Sequence, residues 1–306
     1  MSTAAWRKLV AKVHAEVPTL ESVALSGGEP LLYEDLTELV RFITRRKLSV
    51  VIITNGSMLT RERMRELAAA GAYFEVPLLS HRAEIHDRLT GKPNSWNKTV
   101  ANLANSIALR AGWVCVFVAT KLNWRDLPKT GELAIALGAE GLMYNRVNLS
   151  ASNLSNARIL VPTPFMIERN LHTLQRLKTR FQLPSAVSVV IEPCVVDIDQ
   201  FPDIQFGWCP LAGENSYFTI DPYGNLRICN HSPTVLGNLT ESDFMEIFRY
   251  HSYVRRFRTE LPLECKNCPP RWRNLCKGGC KAAGEQCYGD PAKVDPFVTM
   301  FSDRKK

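Results

Sequence analysis

The chain has no apolar run approaching the ~18–20 residues that a membrane-crossing helix requires, so a transmembrane helix is excluded from the reading. Its first segment, MSTAAWRKLVAKVHAEV, carries charges throughout. It lacks the unbroken apolar core and small-residue cleavage site of a secretory signal. There are no low-complexity tracts and no internal repeats. No basic stretch with interleaved aromatics marks a nucleic-acid surface, so nucleic acid is not an expected partner. No cysteine precedes Cys115. These absences predict a soluble, cytoplasmic protein with no membrane partner.

What is present is enough for a sizeable core. The chain has 306 residues, 45% of them hydrophobic, which suits one large domain and a smaller one. The net charge of +8 reads as a solvated basic surface, one that can also draw in an acidic peptide.

Over the first two-thirds, helical and strand patterns alternate. Trp6, Leu9, Val10, Val13 and Val17 fall at helical spacing, and Val23–Leu25 is a short apolar strand. A helical face of Leu36, Leu39, Val40 and Ile43 leads to a β-branched run, Val50–Ile53, that ends at Thr54-Asn55-Gly56. Thr60 caps the next helix, and strands are expected at Tyr73–Leu79, Trp113–Ala119, Gly141–Val147 and Val187–Ile191. Nearly continuous apolar strands separated by helices signify parallel strands covered on both faces, in an α/β sheet or barrel. The series opens on a helix. The expected fold is therefore a partial, TIM-like (β/α)6 half-barrel that lacks its first strand, and the apolar face of the opening helix is expected on the sheet. Near residue 200 the composition shifts to cysteine, aromatics, glycine and proline. The division predicted is 1–195 for the half-barrel and 196–306 for a small cysteine-rich domain.

Three segments carry chemistry. Ser26-Gly27-Gly28-Glu29-Pro30 closes the first strand at its C-terminal end, where ligands bind in such folds. Its glycines admit a ligand to the backbone and Glu29 offers a carboxylate to an ammonium group, although a structural turn would read the same way. Ala83-Glu84-Ile85-His86-Asp87-Arg88-Leu89-Thr90-Gly91, with Ser95-Trp96 beyond it, is the second; His86 and Asp87 read as bracing a loop. The third is the cysteine series: Cys209, then Gly224 and Cys229, then Cys265-x2-Cys268-x7-Cys276-x3-Cys280, and Cys287. Close-spaced thiolates bring ligands to one centre at little loop-closure cost. Both an iron–sulfur cluster and a four-cysteine zinc ribbon fit that pattern. Cys115, within Trp113-Val114-Cys115-Val116-Phe117, reads as a small core residue.

A GGEP turn, a strand ending in Thr-Asn-Gly and an AEIHDR-type stretch, in that order, resemble the radical S-adenosylmethionine enzymes that carry a C-terminal SPASM extension. The resemblance implies that Gly27, Gly28 and Glu29 hold the methionyl group of S-adenosylmethionine, with Thr54 and Asn55 at the same mouth. The family's Ser-Leu-Asp-Gly stretch is replaced by Pro77-Leu78-Leu79-Ser80, where Ser80 is the substitute polar contact. Arg146, at the end of an apolar strand, needs a polar partner. That partner is the S-adenosylmethionine carboxylate, Glu29 or Glu75.

For the cysteines the resemblance implies two auxiliary 4Fe-4S clusters. One takes Cys209, Cys229 and Cys280, with Cys194 as fourth ligand; the other takes Cys265, Cys268, Cys276 and Cys287. It also implies a peptide or protein substrate, a 5′-deoxyadenosyl radical, and an electron donor such as flavodoxin or ferredoxin. The CxxxCxxC that holds the family's core cluster occurs nowhere in the chain. An N-terminal truncation is the preferred account, and a degenerate member serving as a non-catalytic iron–sulfur scaffold is the rival. Either way, S-adenosylmethionine binding is expected to be weakened and its cleavage lost. A zinc-ribbon binding protein is the third reading, and no residue is assigned a catalytic role.

Overall fold

Val50–Ile53 and Trp113–Ala119 are dense in β-branched and aromatic residues and follow amphipathic helices, and each pairs in space with its neighbour in sequence. The structure, a computed structural model, describes residues 1–209 and 217–301. Among these residues β1 (Ser22–Leu25), β2 (Ser49–Ile53), β3 (Ala72–Pro77), β4 (Trp113–Ala119), β5 (Gly141–Arg146), β6 (Ser185–Val187) and β7 (Gln205–Phe206) form one sheet in chain order. Every pairing in it is parallel, and the sheet curls into a half-barrel, as the alternation of elements predicts. β7 is the addition: two residues are too few to leave a periodic signal. No helix among the described residues is long and apolar enough to cross a membrane.

The two faces of the sheet differ more than the apolar runs suggest. Phe74, Val76, Trp113, Cys115, Phe117 and Ala119 are buried under helices that include Leu36–Thr44, Arg61–Ala69, Leu127–Ala136 and Pro164–Phe181. The alternate residues Tyr73, Glu75, Val114, Val116 and Val118 are only half-buried. Successive side chains of a strand point to opposite faces, so the concave face has room against it. Glu75 sits on that face, and burial raises its carboxyl pKa above the ordinary value.

Two expectations change. The strand expected at Val187–Ile191 ends at Val187, because Asn145 Oδ1 accepts from Ser188 N (3.0 Å), Val189 N (2.9 Å) and Ser188 Oγ (2.8 Å). A side chain thus takes the donors that would have continued the ladder. The opening helix, Thr3–Glu16, is divided: Trp6 and Val10 pack against the sheet's core as expected, whereas Leu9 and Val13 are buried in a second one, with Leu226, Ile228, Leu236, Phe244, Phe248 and Phe257. Lys12 Nζ donates to the carbonyls of Leu239 (3.1 Å) and Ser242 (2.8 Å), and Glu16 Oε2 accepts from Phe244 N (2.6 Å). This second core lies beneath a three-stranded antiparallel sheet of β8 (Thr219–Ile220), β9 (Asn225–Arg227) and β10 (Val235–Asn238). A tight turn at Asp221–Gly224 joins its first two strands, with Asp221 Oδ1 accepting from Tyr223 N and Asn225 N.

Arg146, at the end of β5, is fully buried and meets neither Glu29 nor Glu75. Its Nη2 reaches Glu192 Oε1 (3.0 Å) and Asp295 Oδ2 (2.6 Å), its Nε donates to Val190 O (3.0 Å), and its guanidinium lies over the Phe297 ring. Glu192 and Asp295 are fully buried as well. Burial drives the Glu192 carboxyl well above its ordinary range; Arg146 opposes this and Asp295 adds to it. His86, also buried, accepts from Leu79 N at Nδ1 (3.2 Å), and burial lowers its pKa against a smaller opposing effect of Asp87. Asp87 accepts from Trp96 N, Ser95 Oγ and Asn94 N, so this pair braces the loop as the sequence predicts.

Two stability predictions follow from these buried charges. Arg146→Met leaves a carboxylate uncompensated in the interior and is expected to cost roughly 3–5 kcal/mol. Arg146→Met with Asp295→Asn recovers much of that loss, which urea unfolding of the two variants checks. For His86 the folded pKa is lowered, so its contribution to stability is present above the unfolded value of about 6.5 and is lost as pH falls below it. Unfolding free energy measured from pH ~7 to ~5 is expected to fall less steeply in His86→Gln.

Candidate functional site

The C-terminal ends of β1 and β2 place the first site. Gly27 has φ +148°, a conformation that a side chain would strain, and a Cβ at Gly27 or Gly28 would meet nothing within 4 Å. The glycines therefore serve the backbone's path and border open space rather than a crowded interior. Pro30 opens a 3-10 turn, Pro30–Leu32, and Glu29 caps it by accepting from Leu31 N (3.1 Å). The same carboxylate accepts from Thr54 Oγ1 (2.6 Å) and from Asn55 N (2.9 Å). Glu29 thus ties the turn after β1 to the turn after β2. Three donors leave part of its acceptor capacity free, since a carboxylate takes about four. The Asn55 side chain is engaged by Ser57 N (2.8 Å), so its backbone N–H, not its amide, faces Glu29.

Gly27, Gly28, Glu29, Thr54 and Asn55 are brought together. Ser80 is not among them: it is fully buried, donates to Asp126 Oδ2 (2.7 Å) and accepts from Arg82 N (2.9 Å). Its hydroxyl is committed to a turn that Arg82 and Asp126 clamp with an ion pair (3.0 Å). Arg146 is also elsewhere, its guanidinium held by Glu192, Asp295 and backbone carbonyls. Glu75, the other partner expected for Arg146, stands half-buried on the concave face instead.

The cysteines gather in two places. Cys209, Cys229 and Cys280 all act on the Tyr217 phenol, whose pKa is raised by burial first and by these three thiols next. Burial pushes the Cys229 thiol to about 11 and the Cys280 thiol to about 12. Asn148 Nδ2 donates to Cys280 Sγ (3.3 Å), and Cys280 N donates to Asp295 Oδ2 (3.0 Å). The second place is a small cavity lined by Cys194, Cys265, Cys268 and Cys276 together with Glu192 and Trp272. Cys194 is therefore with the second set rather than the first. Cys287 does not line this cavity; it lies on the helix Lys281–Tyr288.

Between Cys276 and Cys280 the residues Lys277, Gly278 and Gly279 all take positive φ, and a Cβ on Gly279 would collide with Glu192 Oε1. That glycine lets the turn press against the buried Arg146 centre.

Thiols held neutral by burial and by one another become good ligands once a cationic centre enters, since binding displaces their protons. Both sets fit an iron–sulfur cluster on that chemistry. Glu192 Oε2 is buried with no hydrogen-bond partner and stands beside the second set.

Comparison with known proteins agrees with this geometry. Residues 1–134 match the model of the radical SAM superfamily, and residues 209–269 match that of the SPASM iron-sulfur cluster-binding domain. The first match contains the Gly27–Glu29 and Thr54–Asn55 turns; the second contains Cys209, Cys229, Cys265 and Cys268. The PqqA peptide cyclase of Rhodopseudomonas palustris is 28% identical over 98% of this chain and 79% of its own length. The AdoMet-dependent heme synthase of Methanosarcina barkeri is 27% identical over 92% of this chain and 83% of its own length. Streptococcus suis SuiB bound to S-adenosylmethionine superposes with a TM-score of 0.75 at 15% identity, over 96% of this chain and 69% of SuiB. The structure of anSMEcpe with bound AdoMet and Kp18Cys peptide gives 0.71 at 16% identity, over 100% of this chain and 87% of that one. At such identities the superpositions show the fold. The chain thus carries a radical SAM domain, which holds the Gly27–Glu29 turn, and a SPASM iron-sulfur cluster-binding domain, which holds Cys209, Cys229, Cys265 and Cys268.

Proposed function

We propose that this chain carries the S-adenosylmethionine-binding half-barrel and two auxiliary 4Fe-4S sites of a peptide- or protein-modifying enzyme. The observation that carries the reading is the Glu29 carboxylate, fixed by Thr54 and Asn55 against the open space at Gly27 and Gly28. Glu29 has acceptor capacity left for an ammonium group, and the exposed glycine backbone lets the methionyl portion lie close. When bound beside a reduced cluster with an open iron, S-adenosylmethionine would supply a carbon radical for hydrogen abstraction, its carbon–sulfur bond breaking as methionine leaves. The residues here hold and orient that cofactor and leave the concave face of the sheet, with Glu75, Val114, Val116 and Val118, for the substrate.

A peptide is favoured as substrate for two reasons. Among the relatives are several PqqA peptide cyclases, and SuiB is known bound to its precursor peptide SuiA. A net charge of +8 also suits an acidic peptide. Cys209, Cys229 and Cys280 would hold one cluster, and the thiols around the second cavity the other. A low-potential donor of the flavodoxin or ferredoxin kind would feed them in the cytoplasm.

Anaerobic reconstitution tests the reading: about eight irons per chain are expected for two such clusters, with no zinc. The chain contains no CxxxCxxC, so it is expected to bind S-adenosylmethionine without forming 5′-deoxyadenosine under reducing conditions; formation of that product would refute this part. Glu29→Gln puts an amide N–H₂ among donors and removes the charge. It is expected to weaken S-adenosylmethionine about ten- to a hundredfold, as loss of one charged hydrogen bond does, in a calorimetric titration.

A further inference from the structure

We infer that Cys194, not Cys287, is the fourth thiolate of the cluster held by Cys265, Cys268 and Cys276. The inference rests on the iron–sulfur reading above and concerns which residues of this chain complete the site. The four thiols line one cavity, and Cys287 is absent from its wall. Cys194 stands at the tip of a tight turn closed by Val195 N and Val196 N, both donating to Glu192 O (2.9 and 3.1 Å). Val195, Val196 and Glu192 are buried and fix the turn, while Cys194 itself is exposed. An anchored turn with a solvent-facing cysteine at its tip holds a thiol at a cluster mouth with little freedom to lose on binding.

Cys265 and Cys268 form the facing wall, their backbones closed by Cys268 N donating to Cys265 O (3.2 Å). Two helical turns, about 10 Å of rise, separate Cys287 from Cys280.

Protection from alkylation tests this on the full chain, reconstituted anaerobically with iron and sulfide and mapped by mass spectrometry. In the loaded wild-type chain Cys194 is expected to be protected and Cys287 alkylated. In Cys265→Ala, Cys194 loses its protection while Cys229 and Cys280 keep theirs. In Cys229→Ala, Cys194 stays protected. Cys287→Ala retains the wild-type iron content, whereas Cys194→Ala loses about one to four irons per chain. Protection of Cys194 that follows Cys229 instead of Cys265, an alkylated Cys194 in the loaded chain, or a protected Cys287 would overturn the assignment. A wild-type chain that takes up no iron would instead overturn the iron–sulfur reading, a distinct result. The wild-type arms need no variant to fold.

Discussion

The interior contact on which both halves of the molecule depend is the Arg146 guanidinium between Glu192 and Asp295. It joins the end of β5, the turn that carries Cys194 and the segment that follows the last cysteine helix. Asp295 reaches further: its Oδ2 accepts from Cys280 N and its Oδ1 from Phe297 N (2.8 Å). Glu192 in turn sets how close the Gly278–Gly279 turn can come, and that turn spans Cys276 and Cys280. One buried cation therefore fixes the backbone around a thiol of the first set and two of the second. Ion pairs of this kind seldom add much net stability, since desolvation offsets the attraction. Their value here is positional: a guanidinium presents its donors in one rigid plane, and side chains from three distant segments must meet it there.

A second tie works at the other end of the sheet and by different means. Glu29 links two turns that belong to consecutive strands through neutral donors, Thr54 Oγ1 and Asn55 N. Because none of its partners in the fold is a cation, its charge is left for a ligand. Arg146 is the opposite case. Every group it meets is internal, and its charge is consumed in holding the fold. The sequence presents the two residues alike, as charges at the ends of apolar strands. Partners 46 and 149 residues away decide which one is structural.

That contrast marks how far the sequence is legible. The Gly27–Glu29 turn and the Thr54–Asn55 turn are local: the glycines, the proline and the strand ends that position them lie within a few residues, so pattern suffices. The parallel half-barrel follows for the same reason, each β–α unit being written in one stretch. Where an outcome depends on a distant partner, pattern fails. Asn145 ends β6 from a neighbouring strand, and Leu9 and Val13 find their core more than two hundred residues away. Helical spacing shows that those two are inward, not which core receives them. Cysteine spacing has the same limit. It shows that Cys265 and Cys268 act together, because two residues separate them. It cannot choose between Cys194 and Cys287, which lie on opposite sides of the group in sequence.

The charge state of the Arg146 centre bears on the thiols beside it. Burial drives the Glu192 carboxyl upward, Arg146 opposes that rise and Asp295 adds to it. Arginine keeps its charge throughout. Cys280 is tied to one side of the centre through its N–H to Asp295 Oδ2, and Cys194, Cys265 and Cys276 line the cavity beside Glu192 on the other. Thiolates on a cluster are anionic, and charges in a dry interior are weakly screened. The one guanidinium at this position therefore does two things: it holds three distant segments together, and it is the cation against which acidic groups on both sides can be buried.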